Sequence, residues 1–249
     1  MKINSLLLAL FIPGFLIAQQ ANKPVTMAIS PEKAKDNSDT TILKDPSAPG
    51  REFWIISNPG GSVKTQGGML NGKKDGTWRE YGGANNALTK VEEYKEGKKY
   101  GMTTTLNFSG MVTTDETYRN DTLNGKKLQY SQSAKLKVIE FYRGGLLDGE
   151  RTSYYDDGKV QEEGVYKQGK RQGLTKWYLQ SGTLSMEYNY TDGILNGLSK
   201  MYDEKGLIKQ EGNFVNDNEE GEWKEYEGGV LTKKILYKAG TVVKETKVK

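Results

Sequence analysis

Aromatic and apolar residues return along this chain at a fixed spacing. Glycines recur after Gly76 at a spacing of 25 residues once and of 24 residues thereafter, at Gly101, Gly125, Gly149, Gly173, Gly197 and Gly221. Five residues after these glycines stand Tyr81, Leu106, Tyr130, Tyr154, Tyr178, Tyr202 and Tyr226. A constant period of this length is the signature of a repeat architecture in which each unit is one supersecondary element. The pattern predicts about seven units.

Two further columns follow the same period. Eleven residues after the glycines stand Val112, Leu136, Val160, Leu184 and Ile208, and seventeen after them stand Tyr118, Tyr142, Tyr166, Tyr190 and Phe214. Residues separated by an even number point to the same side of a strand, so offsets 5, 11 and 17 share one face if the strands pair in simple register. The more polar offsets 2 and 14, with Thr175, Ser199 and Glu163 among them, then form a wetter face.

Glycines also mark two reversals in each unit. Gly110, Gly158, Gly182 and Gly206, nine residues after the repeat glycine, predict a hairpin turn that pairs offset 5 with offset 11, as in Tyr178 with Leu184. Stretches such as YKQGKRQG carry two glycines four apart and predict a second turn. The repeat glycines from Gly76 to Gly221 are therefore predicted to be structural turn residues. A phosphate-binding loop is not favoured, because Leu174 and Thr175 follow where such a loop needs Lys and Ser or Thr.

A single unit holds too little apolar surface to fold alone. Burial of about three large side chains gives roughly 5 to 9 kcal/mol, whereas ordering the backbone of one unit costs on the order of 24 to 48 kcal/mol. Neighbouring units must supply the missing contacts. The sequence thus predicts an all-β fold, an elongated single-layer antiparallel meander of stacked β-hairpins with about fourteen strands. Trp54, which lies 24 residues before Trp78, indicates a half unit at the N-terminal end, and Lys244, Lys247 and Lys249 would protect the last edge.

The N-terminal part of the chain differs in composition from the repeats. Residues 1–18 combine Lys2, an apolar run and a small residue, Ala18, which is typical of a cleaved signal peptide. Residues 19–50 hold four of the six prolines without sustained apolar periodicity and are predicted to be a flexible linker. Residues 51–249 then form the repeat domain. We expect export to the periplasm, cell surface or exterior, soluble after cleavage and without a lipid on cysteine, since the chain has none.

Composition removes most catalytic chemistry. The chain has no cysteine and no histidine, so it lacks thiolate nucleophiles, imidazole bases and the usual zinc, copper or haem ligands. Lys and Glu interleave at a net charge of +4, which does not favour nucleic-acid binding. Glu163, Glu187 and Glu211 are the candidate catalytic carboxylates, but we interpret them as solvated strand residues facing Lys and Arg. The acidic segment 216–222 lacks the ligand spacing of a calcium loop. No catalytic, cofactor or metal site is predicted.

The stretches YKQGKRQGLTKWY and FVNDNEEGEWKEY resemble the bacterial variant of the MORN repeat, and the resemblance covers residues 51–249. Asp121 and Asp217 depart from it by replacing the first glycine, and Leu106 by replacing the tyrosine. The resemblance implies an elongated, twisted single-layer sheet with a non-enzymatic scaffold role. Some such proteins are proposed to bind anionic lipids, many self-associate, and some bacterial variants carry an antitoxin label.

These observations predict an exported, non-catalytic scaffold that binds a protein partner or itself. A single-layer sheet leaves its aromatic column without an opposing layer, so the candidate interaction face carries Tyr130, Tyr154, Tyr178, Tyr202 and Tyr226. Two alternatives stay open. One is association with an anionic lipid or polysaccharide surface of the envelope through the basic tail, and the other is a carbohydrate-active enzyme.

Overall fold

A computed structural model describes the backbone of Glu32–Lys33 and residues 39–248, which form one antiparallel sheet and no helix. Its strands are β1 (Glu32–Lys33), β2 (Thr40–Lys44), β3 (Arg51–Ser57), β4 (Val63–Leu70), β5 (Lys73–Gly82), β6 (Ala87–Lys95), β7 (Lys98–Leu106), β8 (Val112–Arg119), β9 (Thr122–Tyr130), β10 (Leu136–Arg143), β11 (Leu146–Tyr154), β12 (Val160–Lys167), β13 (Lys170–Arg171), β14 (Gly173–Tyr178), β15 (Leu184–Thr191), β16 (Ile194–Leu195), β17 (Gly197–Tyr202), β18 (Ile208–Val215), β19 (Asn218–Glu227), β20 (Val230–Lys238) and β21 (Thr241–Lys247). Strands that follow each other in the chain pair side by side, except at two interrupted strands. There β13 and β14 together form one strand beside β12, and β16 and β17 together form one strand beside β15. The predicted meander of hairpins is confirmed.

The sheet begins earlier than predicted. The signal peptide predicted over residues 1–18 lies outside the described residues, as does most of the predicted linker. Within that linker, however, Thr40–Lys44 forms β2 and pairs along its whole length with β3. The linker prediction is therefore wrong for this segment. Its TTILK sequence is β-branched and apolar, which suits a strand, but it is too short to show a period.

The reversals between units are two-residue turns with positive φ at both positions. Gln168 and Gly169, with φ of 49° and 82°, join Lys167 to its partner Lys170. This geometry is the type I′ turn, whose twist matches that of the flanking strands. The predicted departures Asp121 and Asp217 occupy the second turn position with φ of 63° and 65°. Aspartate can therefore replace glycine here, since it tolerates the left-handed region better than most residues.

These turns also bind one unit to the next. The Gly169 N–H donates to the Leu147 carbonyl at 2.7 Å, and the Gly193 N–H donates to the Arg171 carbonyl at 2.9 Å. The same bond recurs at Gly97, Asp121, Gly145, Asp217 and Gly240. One margin of the sheet is thus a ladder of stacked turns, in which each unit satisfies a backbone group of its neighbour.

The repeat glycines Gly76, Gly101, Gly125, Gly149, Gly173, Gly197 and Gly221 are not turn residues, which corrects the prediction. All seven lie within strands: Gly125 in β9 and Gly149 in β11, for example, with φ of 134° and 136°. The register between β10 and β11 shifts opposite Gly149, as it does at a β-bulge. Positive φ in a bulged strand favours glycine, so the residue is needed for the bulge and not for the reversal.

The other hairpin turn stands where it was predicted. Gly182 donates its N–H to the Leu179 carbonyl at 2.8 Å, and Tyr178 pairs with Leu184 across the hairpin. The preceding pair is Trp177 with Met186, so Ser185 is an extra residue in β15. The same shift occurs beside Tyr81, Leu106, Tyr154, Tyr202 and Tyr226.

This bulge decides which residues share a face. It reverses the alternation of β15, so Tyr190 at offset 17 lies on the opposite face from Tyr178 at offset 5. The prediction that offsets 5, 11 and 17 share one side is therefore wrong for offset 17. We call the face with Trp78, Trp177 and Trp223 the tryptophan face. The opposite face, with Tyr130, Tyr154, Tyr178, Tyr202 and Tyr226, is the tyrosine face.

Burial in this single layer is concentrated on the tryptophan face. Trp223 is only 2% exposed and lies over Gly212 on the neighbouring strand, where an added Cβ would meet the indole at 2.1 Å. Trp78 lies over Gly67 in the same way. Thr175 and Ser199, predicted to belong to a wetter face, are also buried on this side. Glycine next to a large ring thus lets the sheet cover its own surface without a second layer.

Candidate interaction faces of the sheet

The tyrosines of the predicted interaction face are half-buried, and most are held by a carboxylate on the preceding hairpin. The Tyr178 hydroxyl donates to Glu163 Oε1 at 2.6 Å, and the Tyr202 hydroxyl donates to Glu187 Oε2 at 2.7 Å. Tyr226 donates to Glu211 Oε1 at 2.8 Å, and Tyr130 makes a longer bond to Asp115 Oδ2 at 3.4 Å. The structure thus brings the tyrosine column and the offset 14 carboxylates together, although the sequence placed them on opposite faces.

These bonds raise the tyrosine pKa values. Burial and the neighbouring Glu163 carboxylate raise the pKa of Tyr178 to about 12, and burial with Glu187 does the same for Tyr202. The hydrogen bond to Glu211 is the main cause of the raised pKa of Tyr226. All three hydroxyls therefore remain protonated donors at neutral pH, and they fix the carboxylates in place.

The same face carries a regular series of charges, which we call the charge ladder. Its members lie on six neighbouring strand positions in the order Glu163, Lys176, Glu187, Lys200, Glu211 and Lys224. Each is the direct cross-strand partner of the next, so opposite charges alternate along the axis of the sheet. The lateral ion pairs are loose, at 3.8 Å between Lys176 and Glu163 and 3.5 Å between Lys224 and Glu211. The interpretation that these glutamates face lysines is confirmed.

An apolar row runs beside the charge ladder. Its members Phe141, Val165, Leu174 and Leu198 are 37% to 44% exposed, and the described chain leaves them uncovered. Next to Val165 and Leu174 the face holds a shallow hollow of about 280 Å³ whose polar lining includes Glu150, Glu163 and Lys176. Exposed apolar surface beside fixed polar groups is typical of a protein-binding face.

The tryptophan face differs from the tyrosine face in its middle rows. In the first half of the face these rows contain partly buried ion pairs. Glu92, 3% exposed, accepts from Tyr94 and pairs with Lys99 Nζ at 2.7 Å and Lys90 Nζ at 3.0 Å. Burial opposes the charged form of Glu92, but the bonds from Lys99, Lys90 and Tyr94 outweigh it and lower its pKa from 4.5 to about 2. Glu92 therefore stays ionised in the folded chain.

Two arginines extend this network along the sheet. Arg151 donates to Glu140 Oε1 at 3.2 Å and to Glu162 Oε2 at 3.1 Å. Arg171 donates to Glu162 Oε1 at 2.6 Å and lies against the rings of Tyr166, Trp177 and Tyr190. Beyond Arg171 the face becomes aromatic: successive edge-to-face contacts join Trp177, Tyr188, Phe214, Trp223 and Tyr237.

The charge ladder was missed from the sequence, although a signal was present. Lys176, Lys200 and Lys224 stand three residues after their repeat glycines, and the glutamates stand fourteen after theirs. In simple register, an odd and an even offset predict opposite faces. Only the bulges bring the two columns side by side, because they change the alternation inside each unit.

Within residues 39–248 no group of three or more acidic side chains is arranged to hold a metal ion. The carboxylates of Glu163, Glu187 and Glu211 each accept a tyrosine hydroxyl. The described part of the chain also contains no helix that could cross a bilayer.

Stacked hairpins in one open sheet, with both faces built from columns of equivalent residues, define a single-layer β-repeat protein. The family described as MORN repeat variant matches residues 147–168 and 195–216, so these two segments are repeats of that kind. Curated proteins give no match. Among solved structures, the chain is similar to a porin-like protein from Bacteroides uniformis at 12% identity, over 88% of this chain and 92% of that one, with a TM-score of 0.19. A similarity at that score carries no argument about fold or function.

Proposed function

We propose that the protein is an exported, non-catalytic repeat scaffold that binds a protein partner through its tyrosine face. The observation that carries the proposal is the apolar row, Phe141, Val165, Leu174 and Leu198, exposed along a face whose polar groups are held in place by hydrogen bonds. A rigid face with its side chains already ordered loses less entropy on binding. The two matched repeat segments, 147–168 and 195–216, themselves carry Val165 and Leu198 of this row, so the repeat backbone positions the surface.

The test removes the apolar row and keeps the fold. In capture from the native envelope fraction, the double variant Val165→Ser/Leu174→Ser is expected to lose the protein that the wild-type chain retains. The matched control is Val230→Ser/Val243→Ser, which removes two exposed valines outside the apolar row, at the first position of β20 and on β21. Circular dichroism and urea unfolding check that both variants stay folded. Equal capture by the wild type and the Val165/Leu174 variant would refute binding through this face.

The position of β21 favours a second candidate function. Every residue of β21 is exposed, and Lys244 and Lys247 lie on this last strand. A basic edge of this kind suits association with an anionic surface. Binding to vesicles containing anionic lipid that falls with salt, and that is lost in Lys244→Gln/Lys247→Gln, would select this function over the protein scaffold.

A further inference from the structure

The charge ladder has a symmetry that points to its occupant. It contains six members of alternating sign, and its neighbours in the same row, Thr152 and Lys234, end the alternation at both sides. An alternating series with an even number of members becomes its own opposite when its direction is reversed. A surface of this kind is therefore complementary to a second copy of itself, provided that the copy is turned by a two-fold rotation.

We propose that a second copy of this chain docks face to face on the charge ladder, about a two-fold axis that runs along the strands between Glu187 and Lys200. In this arrangement Glu187 faces the partner's Lys200. Lys176 faces the partner's Glu211, and Glu163 faces the partner's Lys224. Each contact occurs twice, and every charge of the ladder on one copy meets its opposite on the other.

The same series specifies the register. A shift by one strand position places like charges opposite each other along the whole ladder, which disfavours the wrong alignment. The first half of the tyrosine face cannot take part in the same way, because the same row there holds Val91, Thr104, Asp115, Leu128 and Ile139. The two copies therefore overlap only from β12 to β19. Leu174 and Leu198 lie inside this overlap and would lose their exposure.

The size of the overlap sets the strength that we expect. Six strand positions spaced about 4.8 Å apart, each about seven residues long at about 3.4 Å per residue, give roughly 600 Å² per copy. That is about 1,200 Å² in total, at the lower limit of stable interfaces. The dimer should therefore depend on protein concentration, and it should weaken as salt screens the facing charges.

The proposal rests on the proposed function, since it names the partner of the same face. Its test is sedimentation velocity of the full chain at about 50 and about 500 mM NaCl, where the screening length falls severalfold. Wild type is expected to dimerise, with a Kd at least about tenfold higher at the higher salt. Glu187→Lys creates two like-charge contacts and should raise Kd by about tenfold or more. Glu187→Lys/Lys200→Glu restores those two contacts and should return Kd to within about threefold of wild type.

A control and a second measurement keep the test decisive. Glu204→Lys makes the same charge change in an exposed turn and should leave Kd unchanged. A chain with all six ladder charges inverted keeps its lateral pairs and should dimerise with itself but not with wild type. This mixing readout applies even if Glu187→Lys impairs folding.

Three results would overturn the proposal: a monomer at every concentration, a dimer indifferent to Glu187→Lys, or free mixing of wild-type and inverted chains. If the chain is monomeric and Val165→Ser/Leu174→Ser still loses its captured protein, the scaffold function stands and only the second copy is refuted.

Discussion

The two halves of the tryptophan face bury different kinds of side chain along their middle. From β6 to β13 the centre holds acid–base pairs, with Arg151 between Glu140 and Glu162. From β14 to β20 it holds rings in edge-to-face contact, ending at Trp223 and Tyr237. On the tyrosine face the regular series of charges lies further along the chain, since the charge ladder runs from β12 to β19. One repeat backbone thus accepts either chemistry at equivalent positions, and Arg171 lies at the boundary on the tryptophan face.

The difference teaches how a single layer remains stable without a second one. Aromatic burial depends little on pH or salt, whereas buried ion pairs are stable only while both partners are charged and present. The stability of the aromatic half of the tryptophan face should therefore be insensitive to pH and salt, and that of its ion-paired half should respond to them. Four predictions test this contrast.

The largest effect is expected from Trp223→Ala. The ring packs between Phe214 and Tyr237 over Gly212, so its removal should lower the free energy of unfolding by about 3 to 5 kcal/mol. Urea unfolding measures the loss, and amide hydrogen exchange should show it in β18 to β20. The exposed control Val230→Ala should change stability by less than about 0.5 kcal/mol. A loss below about 1 kcal/mol for Trp223→Ala would show that the aromatic half is not a core.

A somewhat smaller loss, about 3 kcal/mol, is expected for Arg151→Ala, because Glu140 and Glu162 each lose a partner in a partly buried site. Urea unfolding is again the measurement. Arg143→Ala, an exposed arginine at the end of β10, is the matched control. Adding Glu140→Gln to Arg151→Ala should recover part of the stability, since Glu162 keeps its ion pair with Arg171. No recovery would mean that the arginine stem, and not its charge, is what matters.

The lowered pKa of Glu92 predicts a pH-dependent contribution to the free energy of unfolding from the ion-paired half of the tryptophan face. Its pKa in the folded chain is lowered to about 2 from 4.5, so its contribution is present above pH 4.5 and is lost as pH falls through about 2. The free energy of unfolding of the wild type should exceed that of Glu92→Gln by on the order of 2 to 3 kcal/mol at neutral pH. The difference should be near zero below about pH 2. Unfolding in urea across this range measures it. A difference that stays constant with pH would contradict the assignment.

The smallest effect is expected on the tyrosine face. Tyr178→Phe removes the bond to the partly exposed Glu163 and should cost less than about 1 kcal/mol. Because the pKa of Tyr178 is raised to about 12, its contribution is complete below about pH 10 and is lost as pH rises through about 12. Ultraviolet titration of phenolate formation checks the pKa. Tyr154→Phe is the control, since the Tyr154 hydroxyl has no hydrogen bond to the described residues.

Much of the fold could be predicted from spacing. The 24-residue period, the turn at Gly182 and the pairing of Tyr178 with Leu184 all follow from glycine and aromatic positions. The faces could not be predicted. A bulged residue such as Ser185 has no sequence signal of its own, and one bulge reverses every assignment beyond it. The role of Gly149 was misread for the same reason, since a glycine in a bulge and a glycine in a turn look alike in sequence.

The sequence by itself determined that this chain is a stack of hairpins, because the repeat sets both the strand length and the number of apolar residues in each unit. Only the tertiary structure decided which columns meet. Bulges at fixed places bring Tyr202 beside Glu187 and place the buried Thr175 on the tryptophan face. The physical reason is that period and composition are local properties, whereas the side of a sheet to which a residue points depends on every irregularity between it and its neighbour.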